Sequence, residues 1–184
     1  MKYILFFLFF SLNLNASSFV LLKKHSSVSV HGTSTLHDWT MKGPIENGAA
    51  DLEIDKDQLK KMSSLSLSIR SEDLKSDSDG LNENAYEALQ TKKYPIISFK
   101  LKSLKKIIAK EVVIEGDLTV SGVTKTIEVK GKILNIGKDF MRVDGQHTLK
   151  MSEVGIEPPS VMLGMISSGD EIKISFNVLF KEKK

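Results

Sequence analysis

Residues 112–151 alternate apolar and polar side chains along successive strand-like runs. Successive side chains of a β-strand point to opposite faces, so this pattern gives each run one apolar face and one polar face. It therefore predicts a half-buried antiparallel sheet. In the first run the apolar positions are Val112, Ile114, Leu118 and Val120, and the polar positions are Glu115, Asp117 and Thr119.

The same period of two recurs along most of the chain, with polar or glycine-bearing turns between the runs. Many short strands at this spacing predict a sandwich or an up-and-down barrel, and we favour one all-β barrel because no linker or internal repeat divides the chain. Helical periodicity is weak, and only residues 55–62 and 82–91 are predicted as short helical insertions. The predicted strands span residues 19–23, 26–31, 35–42, 48–54, 63–70, 95–103, 111–121, 124–134, 139–151 and 170–181.

Side chains at alternate positions of a closed barrel either fill its interior or line a cavity. The inward set of this chain is almost wholly aliphatic or aromatic, so any ligand held inside is expected to be apolar. Alternation alone also allows a core that is filled by the protein's own side chains. The apolar segment 158–170, which contains Met162, is expected either to border a pocket or to plug one end of the barrel.

The amino terminus predicts a secretory signal peptide. Met1-Lys2 is followed by the apolar run Tyr3–Phe10, and a small residue, Ala16, stands at the expected cleavage site. The apolar run is too short for a comfortable transmembrane span. We therefore predict a signal peptide over residues 1–16, one barrel domain over residues 17–184, and secretion of the mature protein.

The composition restricts the cellular compartment and the classes of partner that are expected for this protein. The chain contains no Cys, so an exported domain of this size has to be stable through packing alone, which favours a bacterial periplasm. Arg70 and Arg142 are the only arginines, and the lysines are interleaved with acids, so nucleic acid is not an expected partner. The lysine strip, defined here as Lys100, Lys102, Lys105, Lys106 and Lys110, is expected either to contact an anionic membrane surface or to remain a solvated strand face.

The polar segment 26–39 contains the residue types of a hydrolase or a metal site, but not their spacing. Ser34 with His37 and Asp38 would form a nucleophilic triad, yet neighbouring strand residues point to opposite faces, so Asp38 is badly placed to orient the imidazole. His31, His37 and His147 with Asp38 match no compact zinc pattern. We therefore expect no catalytic residue and no metal ligand.

Five segments occur in a recognisable order. The most specific reads Gly-Asp-Leu-Thr-Val-Ser-Gly-Val-Thr-Lys over residues 116–125, and the others are His31–Trp39, Lys93–Phe99, Gly155–Gly164 and Gly169–Phe180. In this order they resemble the motifs of the YceI-like family of exported, lipocalin-like, polyisoprenoid-binding proteins. The resemblance extends over about residues 25–181.

This resemblance implies an eight-stranded antiparallel lipocalin-like barrel with one or two short helical insertions. It also implies a periplasmic binding or carrier protein, not an enzyme, that holds an isoprenoid or other long-chain apolar lipid inside. No cofactor is expected, and the ligand class is an isoprenoid quinone or a polyprenyl lipid. The alternative is a non-enzymatic envelope interaction or stress-related module whose filled barrel has no ligand. The residues expected to bind the lipid are Trp39, Phe99, Leu118, Val129, Leu149, Met162 and Phe176.

Overall fold

Antiparallel strands make up most of the computed structural model, which describes residues 16–161 and 163–184. The strands are β1 (Ser17–Leu21), β2 (Ser27–Ser34), β3 (Trp39–Pro44), β4 (Asn47–Asp55), β5 (Gln58–Arg70), β6 (Ile96–Ile108), β7 (Glu111–Val120), β8 (Val123–Gly137), β9 (Phe140–Lys150), β10 (Ser160–Val161) and β11 (Ile166–Glu182). The α-helix α1 spans Asp79–Ala88. The predicted signal peptide lies almost wholly outside the described residues, and so does Met162.

Eight of these strands close into a ring, as the resemblance implied. The ring runs β1–β4–β5–β6–β7–β8–β9–β11, and β11 pairs back onto β1. The closing strand is short: Phe19 lies opposite Ala50 of β4 and opposite Glu182 of β11. Phe19 and Phe180 are almost completely buried beside this closure. The expected all-β barrel is confirmed.

A hairpin of β2 and β3 completes the wall beyond the reach of β1. The strand β11 pairs with β2 over Ser168–Asn177, and β2 pairs with β3. The free edge of β3 meets the segment after β5, where Lys42 and Lys75 exchange two backbone hydrogen bonds of 2.7 and 2.9 Å. Gly43 makes this approach possible, because a Cβ there would lie 2.6 Å from the Asp73 carbonyl oxygen.

The helix α1 lies at one end of the barrel, which we call the helix end. Its N-cap is Ser78, whose hydroxyl accepts a hydrogen bond from the Leu81 backbone amide. The Tyr86 hydroxyl donates to the Glu72 carbonyl at 2.9 Å, and the Ser121 hydroxyl donates to the Leu89 carbonyl at the same distance. These bonds tie the helix to the β5 exit and to the β7–β8 turn. The helix starts three residues earlier than residues 82–91 predicted.

The prediction of a helix over residues 55–62 is wrong. Lys56 and Asp57 form a tight hairpin turn, each with a positive φ, and β5 begins at Gln58. The pairing of β4 with β5 shifts register twice, and each shift adds one residue on β5. As a result the buried side chains Leu59, Met62 and Leu65 are spaced by three, which is the spacing of a helix face and not of a regular strand.

The segment 158–170 also differs from expectation. Its residues 160–161 form β10, which pairs with the start of β11 in a short hairpin. The side chains of Leu163 and Met165 point into solvent and are exposed by 105% and 68%. They neither border the interior nor plug it, although the preceding Pro159 does line the interior.

Gly145 on the inner wall is predicted to be important for the stability of the barrel. A Cβ on Gly145 would overlap the ring of Phe176 and would lie 2.6 Å from the Lys130 carbonyl oxygen, which is backbone and cannot move aside. We expect Gly145→Ala to lower the free energy of unfolding by about 1–3 kcal/mol in equilibrium urea unfolding.

The matched control is Gly80→Ala, because nothing lies within 4 Å of a Cβ at that helical position. It should leave stability unchanged or raise it by up to about 1 kcal/mol. A Gly145→Ala protein as stable as the wild type would contradict the packing described for this wall.

Candidate functional site

The barrel encloses an apolar cavity of about 250 Å³. Residues from β2, β3, β5–β9, β11 and α1 line it, because the inward positions of all these strands converge there. Four of the lining residues have polar side chains, namely Ser68, Ser98, His147 and Ser168. The cavity therefore offers a ligand contact with hydrocarbon almost everywhere. Among its walls are Val30, Met41, Leu65, Ile97, Ile114, Ile127, Val143, Ile172, Ile174 and Val178.

Six of the seven residues expected to bind a ligand lie on the wall of this cavity. Leu118, Val129 and Leu149 are exposed by 8% or less and project from three different strands. The aromatic residues Trp39, Phe99 and Phe176 are half-buried and also line the cavity. The seventh, Met162, lies outside the described residues. Whether these side chains bind a lipid stays a prediction.

Each of the three aromatic rings lies against a glycine on a neighbouring strand. The ring of Trp39 covers Gly32, the ring of Phe99 covers Gly116, and the ring of Phe176 covers Gly145, so a Cβ at any of these glycines would overlap the ring. Glycine is needed because only a bare backbone lets a ring approach the sheet this closely. The rings therefore pack closely against the sheet and form part of the cavity wall.

The Trp39 ring is held in place by a hydrogen bond as well as by packing. Its Nε1 donates to the Thr33 carbonyl at 3.0 Å. Trp39 begins β3 at the helix end, and its indole lies over Gly32 of the paired strand β2. The indole therefore lies near one end of the barrel.

His147 is the titratable side chain on the cavity wall, and sequence reasoning did not assign it there. It lies between Gln146 and Thr148, whose side chains face outward, so the alternation of β9 already placed it inward. Burial lowers the pKa of the imidazole. Interaction with the Glu128 backbone and the charge of Glu153 act in the opposite direction, and Lys125 adds to the lowering. The imidazole is therefore held in its neutral form at neutral pH.

The residues considered for covalent catalysis do not form a triad. The Ser34 hydroxyl donates to the backbone carbonyl of His37 at 2.7 Å, and not to its ring. The His37 ring instead places Nδ1 2.9 Å from the Asp38 backbone oxygen. Ser34 thus caps the turn that joins β2 to β3, which is a structural role.

The histidines also fail to gather into a metal site. The ring of His31 lies on the outer face of β2, where its nitrogens contact the Ser29 and Thr40 hydroxyls at 3.1 and 2.9 Å. Residues 16–161 and 163–184 contain no group of three or more His, Cys, Asp or Glu side chains that could hold an ion.

The lysine strip runs along the outer face of β6 and into the turn that follows it, and acidic residues of β7 partly neutralise it. Lys102 pairs with Asp117 at 3.6 Å, and Lys105 pairs with Glu115 at 3.1 Å. Exposed ion pairs of this kind contribute little to stability, but they reduce the net positive charge of the face. No helix within the described part of the chain has the length and apolar character to cross a membrane.

The lowered pKa of His147 predicts a loss of stability on acidification. The folded protein binds fewer protons than the unfolded chain just below the ordinary imidazole pKa of 6.5, so stability is present above that pH and is lost as pH falls through it. We expect the free energy of unfolding to fall as the pH drops below the ordinary imidazole pKa of 6.5, and to fall less in His147→Leu. Urea unfolding of both proteins measures the difference. An NMR titration that places the His147 pKa at or above 6.5 would contradict the prediction.

Comparison with solved structures finds the same barrel in distant proteins. BcnA of Burkholderia cenocepacia superposes with a TM-score of 0.70 at 17% identity, over 86% of this chain and 98% of that one. A polyisoprenoid binding domain from Saccharophagus degradans, implicated in plant cell wall breakdown, gives 0.66 at 12% identity, over 91% and 99%. A YceI protein of Campylobacter jejuni gives 0.62 at 19% identity, over 76% and 84%. These similarities establish the fold.

The sequence itself identifies the family. A comparison with curated protein sequences gives no significant match. The YceI-like domain, in contrast, matches residues 19–180, which is the whole ring except the first two residues of β1 and the last two residues of β11. This match confirms the resemblance seen in the motifs, and the chain belongs to the YceI-like family.

Proposed function

We propose that this protein binds and carries an isoprenoid or other long-chain apolar lipid inside its barrel. The observation that carries the proposal is the apolar cavity of about 250 Å³ inside the barrel, with four polar side chains on its wall. An apolar cavity of about 150 Å³ already stays dry and accepts an apolar guest, so this space favours hydrocarbon over water. The similar fold of a polyisoprenoid binding domain supports the same ligand class.

Binding would come from burial and not from charge. Removing apolar surface from water contributes about 25 cal/mol per Å², and a chain enclosed on all sides loses most of its exposed area. Ordering a flexible tail offsets part of this gain. At about 250 Å³ the cavity lies just below the range for small-molecule pockets, about 300–1,000 Å³, so a slender chain fits it better than a wide ring system. An isoprenoid quinone or a polyprenyl lipid has such a chain.

We propose that the protein acts by binding and not by catalysis, and that it does so in the periplasm. The role of the Ser34 hydroxyl in capping a turn supports the first point. The apolar amino-terminal run and the absence of Cys support export to a compartment where packing alone maintains the fold. Peripheral contact with a membrane surface, through the lysines left unpaired by β7, would bring the carrier close to its source of lipid.

A charge placed on the cavity wall should abolish lipid retention. Leu118 is exposed by 8% and faces the cavity, so Leu118→Arg would force a guanidinium into the space of the hydrocarbon tail. We expect native mass spectrometry of gently purified wild-type protein to show an adduct of lipid mass, and the Leu118→Arg protein to show none. The control is Leu134→Arg, because Leu134 is 41% exposed on the outer face of β8. That variant should keep the adduct.

A second variant tests the same cavity in case the Leu118→Arg protein does not fold. Val129→Phe keeps the wall apolar but takes up cavity volume, so it should weaken retention while circular dichroism still shows a folded barrel. If folded Leu118→Arg or Val129→Phe protein retained lipid as the wild type does, the lipid would not occupy this cavity. A wild-type protein that stays free of adduct after incubation with quinones and polyprenols would instead support the filled-barrel alternative.

Trp39 offers an optical test, since it is the one tryptophan of the chain. Its indole lines the cavity and is only partly buried, so a bound quinone would displace water near the ring and quench its emission. We expect titration with a short-chain isoprenoid quinone to quench Trp39 fluorescence saturably in the wild type. The same titration of Leu118→Arg should give only the linear loss that free quinone causes.

A further inference from the structure

The barrel wall is interrupted between β8 and β9. These strands pair from Gly137–Phe140 up to Lys130–Gln146, and no further. Both strands nevertheless continue toward the helix end, because β8 stays paired with β7 as far as Val123 and β9 stays paired with β11 as far as Lys150. We call the gap between residues 123–129 of β8 and residues 147–150 of β9 the seam.

Defined contacts limit the seam at both of its ends, and its upper limit is the one nearer the helix end. Its lower limit is the Lys130–Gln146 pair, which is the last rung of the ladder. At the upper limit Lys125 of β8 forms an ion pair of 2.7 Å with Glu153, in the short turn that follows β9. Val123 also packs against Gly155 there. The ladder between β8 and β9 is thus open between these two limits.

His147 stands at this gap and faces two environments. It lines the apolar cavity, and it also lines a groove of about 920 Å³ on the outer surface. Polar and charged residues form the groove, among them Glu128 and Lys130 of β8 and Lys173 of β11. The imidazole therefore separates hydrocarbon on the inside from polar surface on the outside.

The other polar groups of the cavity are placed differently. Ser68 and Ser98 lie opposite each other on β5 and β6, where the ladder is intact. Ser168 lies at the start of β11, and its backbone amide donates to the Pro159 carbonyl. None of Ser68, Ser98 and Ser168 lines the outer groove, whereas His147 lines both the cavity and the groove.

We propose, on the basis of the carrier function above, that the ligand is a single-chain amphiphile with an uncharged oxygen head, and that His147 at the seam binds this head. A neutral imidazole has one N–H donor and one nitrogen acceptor. The Glu128 backbone interacts with the ring, and the remaining acceptor nitrogen suits the hydroxyl of a ligand head. The mixed charges around the seam, Lys125 and Lys130 against Glu128 and Glu153, give no advantage to an anionic or cationic head. The tail then lies in the cavity and the head reaches the groove.

The test compares two isoprenoids that share a chain and differ in the head, farnesol and the hydrocarbon farnesene. The dissociation constants of both are measured for the wild type and for His147→Leu by displacement of a fluorescent fatty probe. We expect the preference for farnesol over farnesene to fall about fivefold in His147→Leu, the effect of one lost hydrogen bond. His147→Gln, which keeps a donor and an acceptor, should restore most of the preference. The control is His25→Leu, a substitution at an exposed histidine, which should leave the preference unchanged.

A second readout locates the head without relying on a variant that folds. The chain has four histidines, so their ring Cε1–H signals are resolvable by NMR. Farnesol should move the His147 signal more than farnesene does, while the signals of His25, His31 and His37 stay fixed. If both compounds bind and neither the preference nor the His147 signal depends on the head, the inference is overturned and the carrier function stands. If neither compound binds the wild type, the carrier function fails and the inference fails with it.

Discussion

Closure of the ring by β1 is the constraint on which the rest of the structure depends. An open antiparallel sheet would expose the edges of β4 and β11, whereas β1 pairs with both and leaves no free edge at that end. The ring then forces every inward side chain toward one axis, so a set of apolar positions scattered over the sequence becomes one enclosed surface. Phe19 and Phe180, which are almost completely buried, stabilise this short closure. The cavity exists because the wall is continuous on this side.

The positions of the large side chains determine whether the barrel is filled or hollow. A Trp and two Phe side chains could occupy the centre of a barrel of this size. Here each ring lies against a glycine on a neighbouring strand, so the wall absorbs much of its volume. This arrangement links Gly116, part of the most specific sequence motif, to the shape of the interior. The motif can thus be understood in physical terms, since its glycine makes room for Phe99.

The seam shows how one fold can combine an apolar interior with polar access. Backbone ladders are closed walls, because each rung satisfies a donor and an acceptor. Where β8 and β9 stop pairing, side chains form the wall in place of backbone hydrogen bonds. Lys125 and Glu153 form an ion pair at the helix end of the seam, and His147 lies between this ion pair and the last backbone pair. A polar residue placed inside a regular ladder would pay for desolvation without reaching the surface. At the seam it has hydrocarbon on one side and solvated groups on the other.

The sequence alone determined the fold class of this protein, because the alternation of apolar and polar residues with period two depends only on the local geometry of a strand. Alternation located every strand except β10, with ends correct to within five residues, and it indicated that Leu118, Val129 and Leu149 face inward. Where local geometry is irregular, it failed: the two extra residues on β5 spaced Leu59, Met62 and Leu65 like a helix. A bulge is stabilised by the neighbouring strand, so its effect on periodicity is not visible in one strand read by itself.

The tertiary structure decided what the interior is. Whether inward side chains interdigitate or leave a space depends on contacts between strands far apart in sequence, such as the ring of Phe176 against Gly145. The same holds for His147, whose inward direction follows from alternation but whose place at a gap follows from where β8 and β9 part. The alternation of apolar and polar residues is a property of each strand. The volume of the cavity and the access to it are properties of the closed ring, so only the assembled ring defines them.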